Sequence, residues 1–320
     1  MSEELSRRSM LKRLAGTGLV AAGVGGGAIW LHGRPPRGSV PAPTVVPSFA
    51  VEGAQGMVIA RGGDPARLVA AALEELGGVE QFIAKGDRVL IKPNAAFDRP
   101  AWQGATTNPA VLGAVVRACM RAGAAEVVVT DNPIHAPEGC FRKTGLGKAA
   151  EDAGGRVLLP DDRAFAPVSL PDTVLDGWSV YLKPLLDADK VIGIAPVKDH
   201  NLARASITMK NWYGLLGGPR NRLHQKMDDA IADLAALIRP TFSVVDGTRI
   251  LIRNGPTGGS PEDVVRGDLI AVGTDGVALD AFGATLLSLE ADQLDYLRLA
   301  TEKGRGTSDW RSLKPREISG

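Results

Sequence analysis

Residues 125–133, "AEVVVTDNP", decide the fold. Val127, Val128 and Val129 are consecutive β-branched residues with no polar alternation. That pattern predicts a strand covered on both faces, as in a parallel sheet rather than an antiparallel one with a wet side. The run then switches to Thr130, Asp131, Asn132 and Pro133. Polar turn formers at the carboxyl end of a buried strand are where open α/β sheets hold ligands. The preceding stretch, 107–123, "TNPAVLGAVVRACMRAG", has helical spacing, with Thr107 or Asn108 as N-cap, Pro109 in the first turn and Gly123 as its stop.

Outward from this unit the alternation continues. "GMVIARG" (56–62) and "RVLIKP" (88–93) predict strands, separated by a helix in "DPARLVAAALEELGGVEQFI" (64–83). A short helix is expected around 145–155, and a hairpin near "GWSVYLKP" (177–184). "KVIGIAPV" (190–197) is a second buried strand. "QKMDDAIADLAALIRP" (225–240) is an amphipathic helix stopped by Pro240. "TFSVVDGT" and "DLIAVGTD" are strands, and "DGVALDAFGATLLSL" is a helix capped by Asp275. The fold class is α/β: a mainly parallel sheet flanked by helices, with an irregular insertion across 160–188. The expected organisation is an N-terminal signal or anchor over 1–34, a linker over 35–54, an α/β domain over 55–300 and a C-terminal tail over 301–320.

The N-terminus carries its own signal. "SRRSMLK" (6–12) resembles a twin-arginine export signal, with Met10 in place of the usual Phe. Arg7 and Arg8 precede an uncharged, Gly-rich run from Leu14 to Leu31. The competing reading is a basic amphipathic helix, which the glycines between Gly16 and Gly27 disfavour. The run is just long enough to stay in a membrane as an anchor. The export machinery is therefore the expected partner, with a periplasmic or outer-face location and membrane contact through this segment alone. Residues 1–34 carry a net +3, leaving −2 on 35–320. No basic stripe for nucleic acid remains. The two cysteines, Cys119 and Cys140, are too few for an iron–sulfur cluster. They are read as unpaired thiols, with a disulfide left open.

Three strands end in polar clusters: "KPNAAF" (92–97), "DNPIH" (131–135) and "KDHN" (198–201). On one crevice these bring together Lys92, Asn94, Asp131, Asn132, Lys198 and His200. "ITMKNWYGLLGG" (207–218) and "PRNRLH" (219–224) add Lys210, Asn211, Arg220 and His224. Such a set suits a small anionic ligand. His200, His224 and Lys210 are the candidate catalytic groups. His200 and His224 are also candidate metal ligands, although no H-E-x-x-H or C-x-x-C spacing is present. Asp246, at the end of "FSVVD", is a further ligand-binding candidate. "RNGPTGGSP" (253–261) lacks the phosphate-cradle spacing and reads as a turn beside the pocket. The function classes left open are an exported enzyme, a periplasmic binding protein without chemistry, and a membrane-anchored assembly protein. Twin-arginine export carries folded proteins, so it is compatible with a bound metal or nucleotide cofactor and does not require one.

The ordered set "IKPN", "TNPAVL", "DNP", "KDH…ITMKNWYGLLGGPR…LH", "VVDG…NGPTGG" and "TDGVALDA" resembles DUF 362, a bacterial and archaeal domain of unknown function, over roughly residues 56–290. Some relatives in that family carry a ferredoxin-like cysteine module, which this chain lacks. "APVKDHNLARASITMKN…LH" is also remotely similar to the nickel-dependent lactate racemase family. That resemblance places Lys210 at a cofactor-anchoring position and His224 at a metal-ligating one. "RASITM" stands where that family has a Gly-rich run.

Overall fold

A computed structural model of the protein describes residues 43–319. The proposed export signal, and the first part of the linker, lie outside the described residues. Among the described residues, nine strands form one sheet in the order β11-β1-β10-β9-β7-β2-β3-β4, with β8 paired to β7. The strands are β1 (Met57–Arg61), β2 (Arg88–Lys92), β3 (Glu126–Val129), β4 (Arg156–Val157), β7 (Lys190–His200), β8 (Arg204–Ser206), β9 (Phe242–Leu251), β10 (Val264–Gly273) and β11 (Arg316–Ser319). β4, β3, β2, β7 and β9 run parallel, and β10 and β8 run against them. A separate antiparallel pair, β5 (Phe165–Pro167) with β6 (Ser179–Tyr181), forms the expected hairpin of the irregular segment.

Both faces of the sheet are buried, as the valine run predicts. Val58, Val89, Ile91, Val127, Val129, Ile192 and Val244 pack under α1 (Pro65–Glu75) and α2 (Pro109–Arg121). The alternate residues Ile59, Leu90, Val191 and Val245 face the opposite layer. That layer is built by α7 (Met227–Leu237), α8 (Gly276–Thr285) and α9 (Asp295–Glu302). The period-2 alternation thus sorts each strand between two apolar layers.

Caps fix the helices. The Asn108 side chain accepts from Ala110 N at 3.0 Å, with Pro109 in the first turn. Asp275 caps α8 by accepting from Ala278 N at 2.9 Å. The short helix expected around 145–155 is α4 (Leu146–Asp152), and a second one not expected from sequence, α3 (Pro137–Thr144), precedes it. Gly145, at φ +81, joins them.

Residues placed by sequence outside the α/β body pack onto it. Phe49 is buried, and β11 pairs in parallel with β1 along the sheet edge. Cys119 and Cys140 are both free and buried.

The site follows from strand order. After β2, the chain builds β3 and β4 to one side and returns to add β7 on the other. Strand order therefore reverses between β2 and β7. The crevice at the carboxyl ends of two such strands is the preferred ligand position of an open α/β sheet. β7 also outruns β2: Val89–Lys92 pair with 190–193, while 198–200 fold back on β8.

Candidate functional site

A cavity of about 530 Å³ opens at that reversal. This is within the usual range for small-molecule sites. Ten of the sequence-predicted residues line it: Lys92, Asn94, Asp131, Asn132, Lys198, His200, Lys210, Asn211, Arg220 and His224. Asp246 does not. Its carboxylate accepts from Asn108 N at 2.7 Å and from the Thr248 hydroxyl at 2.6 Å. It ties β9 to the start of α2 and is a structural anchor rather than a ligand contact. A strand-end carboxylate reads the same in sequence whether it faces a pocket or caps a helix.

The floor of the pocket is a buried polar network. Lys92 Nζ lies 2.7 Å from Asp131 Oδ1, each side chain 1% exposed. Lys92 also donates to Asn211 Oδ1 at 2.9 Å and to Pro93 O at 2.8 Å. Asp131 Oδ2 accepts from Ala95 N at 2.7 Å. Burial pushes the Lys92 ammonium below its ordinary range, and Asp131 opposes that push. Asn211 donates through Nδ2 to Lys92 O and Ile194 O, both at 3.2 Å, and so bridges β2 and β7.

Lys198 donates to Ala105 O at 2.6 Å and Asn94 Oδ1 at 3.3 Å, with the Phe97 ring 5.1 Å away. No carboxylate lies within ion-pair distance of it among the described residues. Burial, then Lys210 and Lys92, lower it to about 7. Lys210 sits 4.9 Å from the Tyr213 ring centroid, and burial, then Arg220 and Lys92, lower it to about 8. Arg220 donates to Asn132 O at 2.8 Å and Pro133 O at 2.9 Å, fixing the loop after β3 to the far wall.

The segment that carries Lys210 and Asn211 is held from below. In α6 (Thr208–Asn211), the backbone N–H groups of Thr208 and Met209 donate to Asp280 of α8, at 2.7 and 3.2 Å. The Thr208 hydroxyl and Tyr296 OH donate to the same carboxylate. Burial raises Asp280 to about 7, with those donors pulling it down. Sequence reasoning missed Asp280 because it sits inside an otherwise apolar helix.

Gly214 was also missed as a site residue. A Cβ there would lie 2.2 Å from Asp131 Oδ1 and 2.7 Å from Lys92 Nζ. The glycine lets backbone lie against the ion pair. Gly255, in the turn beside the pocket, has the same character: a Cβ would meet Asp199 O at 1.8 Å, while its N–H donates to Asp199 Oδ2 at 2.9 Å.

The histidines differ from their expected metal role. His200 Nδ1 accepts from Leu202 N at 3.1 Å and Ala203 N at 3.2 Å. This network assigns the ring proton to Nε2. Burial, then Lys210, Lys198 and His224, push His200 down to about 3, so the ring is neutral. Its remaining polar atom is a hydrogen-bond donor, which does not suit a metal ligand. His224 lies on an exposed turn at the rim. Among the described residues, no cluster of three or more His, Cys, Asp or Glu side chains is placed to hold a metal ion. His200 and His224 therefore lack the further side-chain ligands that a zinc centre built from protein groups uses.

Comparison with known proteins decides the family. The model of the domain of unknown function DUF362 matches residues 89–285, more than half of the chain. The chain belongs to the DUF362 family. All ten pocket residues fall inside this DUF362 region. A thylakoid-associated protein from Synechocystis sp. is 27% identical over 234 residues, which is 68% of each chain. Among solved structures, the chain is similar to the lactate racemase apoprotein from Thermoanaerobacterium thermosaccharolyticum (15% identity, TM-score 0.39, 71% of this chain and 57% of that one). It is also similar to a Thermotoga maritima protein (15% identity, TM-score 0.37, 75% and 60%). The chain spans less than two thirds of either solved structure.

Proposed function

We propose that the pocket binds a small anionic substrate and that its buried lysines supply acid–base chemistry to it. One observation carries this reading. Four cationic side chains (Lys92, Lys198, Lys210 and Arg220) line the cavity against a single carboxylate, Asp131, which is already paired with Lys92. Buried charge without a counter-charge is costly, so the arrangement is complementary to a ligand that brings the missing negative charge. Amines lowered to about 7 and about 8 sit where proton transfer at neutral pH is most efficient. A thermal-shift titration tests it with malonate, a dicarboxylate that is fully ionised at neutral pH. Malonate should raise the melting temperature by mass action, and sodium chloride at equal ionic strength should not. Lys198→Met and Lys210→Met should each abolish most of the shift. Equal shifts from both salts would remove the reading.

For location, we propose that residues 1–34 direct the chain out of the cytoplasm by the twin-arginine route. Paired Arg7 and Arg8 before the uncharged run 14–31 support this. The Synechocystis relative is named as thylakoid-associated, which is consistent with work at a membrane. Among the described residues no helix is long and apolar enough to cross one. The anchor we propose is the segment 14–31. Changing both arginines to lysine should block export of the full chain, and unimpaired export would refute the assignment.

A further inference from the structure

Three lysines line the pocket, and they are not equivalent. The Lys92 amine is occupied by Asp131, Asn211 and Pro93 O. The Lys198 amine is occupied by Ala105 O and Asn94. Lys210 Nζ makes no hydrogen bond or ion pair with any described residue and lies over the face of Tyr213. The amine is also well positioned. It rises from α6, whose first N–H groups are clamped on Asp280, and not from a loose loop. Lys210 is largely buried, yet it lines the cavity.

We propose that Lys210 is an imine-forming lysine, which takes the carbonyl of a small 2-oxo acid whose carboxylate is held by the neighbouring cations. This rests on the anion-binding reading and adds covalent chemistry to it. The Nζ lone pair attacks the carbonyl carbon as the C=O π bond breaks, and the oxygen takes a proton. The nitrogen loses a proton to leave a neutral carbinolamine. Protonation of its hydroxyl expels water and gives the iminium. The sequence consumes one amine, one carbonyl and one proton and releases one water; no oxidant or reductant is needed. The iminium then withdraws electrons from the adjacent carbon, favouring cleavage of a C–H or C–C bond there. Desolvation beside other cations, here Arg220 and Lys92, keeps part of the amine unprotonated near neutral pH.

The test incubates the full chain with pyruvate and sodium cyanoborohydride, then maps adducts by peptide mass. A reduced imine adds the mass of the oxo acid less one oxygen atom. At neutral pH an amine titrating near 8 has about two hundredfold more free base than a surface lysine, so Lys210 should be labelled well ahead of the surface lysines, and ahead of Lys198, whose amine is held by Ala105 O and Asn94. Malonate should slow the labelling. Lys210→Arg should abolish the adduct, since arginine loses the nucleophile, and the malonate shift of the unaltered protein reports the anion site separately. If malonate stabilises the protein but pyruvate labels Lys198, or only surface lysines, the imine role is overturned and the anion site stands. If malonate gives no shift and no adduct forms, both readings fall.

Discussion

Asp131→Asn is the sharpest perturbation of the pocket floor. Nearly isosteric, it removes the charge facing Lys92 and leaves an amide oxygen to accept from Ala95 N. At the observed 2.7 Å, two unit charges attract by about 6 kcal/mol at an effective dielectric of about 20. The variant escapes the full loss by letting Lys92 go neutral. Holding neutral a lysine that titrates near 10.4 when unfolded costs about 1.4 kcal/mol per pH unit below that value, or about 4.6 kcal/mol at pH 7 and about 2 kcal/mol at pH 9. The expected destabilisation at pH 7 is thus about 3–5 kcal/mol, within the range for breaking a buried pair. In this variant the unfolded chain binds one more proton at Lys92 than the folded one, so its stability rises with pH. The deficit against the parent protein should therefore shrink between pH 7 and 9. Urea unfolding at both pH values measures it. Adding Lys92→Met should recover part of the loss, because no buried amine then has to be held neutral. A deficit below about 1 kcal/mol at pH 7, or one unchanged at pH 9, would refute the reasoning.

Other expectations concern the support of the site. Gly214→Ala should destabilise by at least about 2 kcal/mol and abolish malonate binding, because the new methyl cannot coexist with the Asp131–Lys92 contact; Gly214→Ala with parental melting temperature and affinity would contradict this. Asp280→Ala leaves the Thr208 and Met209 N–H groups, the Thr208 hydroxyl and Tyr296 OH without their acceptor. A loss of about 3 kcal/mol or more is expected in denaturant unfolding, with weakened ligand binding in whatever protein remains folded.

Much of this molecule is legible in its sequence, for physical reasons that differ by element. "AEVVVTDNP" and "KVIGIAPV" read correctly because doubly buried strands need unbroken apolar runs. The helix after Asn108 reads correctly because its cap, proline and terminal glycine all agree. β8 is three residues long and exists because β7 outruns β2, which nothing local in "RAS" encodes. α3 lacks a side-chain cap and is mostly polar, so its pattern is weak. β11 pairs with a strand more than 250 residues away, and its residues are largely exposed. In the site, lysines and asparagines after buried strands were readable because a charge there must find a partner or a pocket. The distinct fates of Lys92, Lys198 and Lys210 were not, because pairing depends on Asp131, Ala105 O and Asn211 converging from distant positions.

The central claim is that the cationic side chains of this pocket recognise negative charge. The most direct measurement is the malonate dissociation constant, by calorimetry on the full chain, across pH 7 to 9. Malonate's charge does not change over this range, whereas Lys198 and Lys210 lose their protons near 7 and 8. Affinity should weaken as pH rises, by up to about tenfold per unit for each lysine that must be charged. A dissociation constant flat across the range, or equal binding of the uncharged diamide malonamide, would contradict the account.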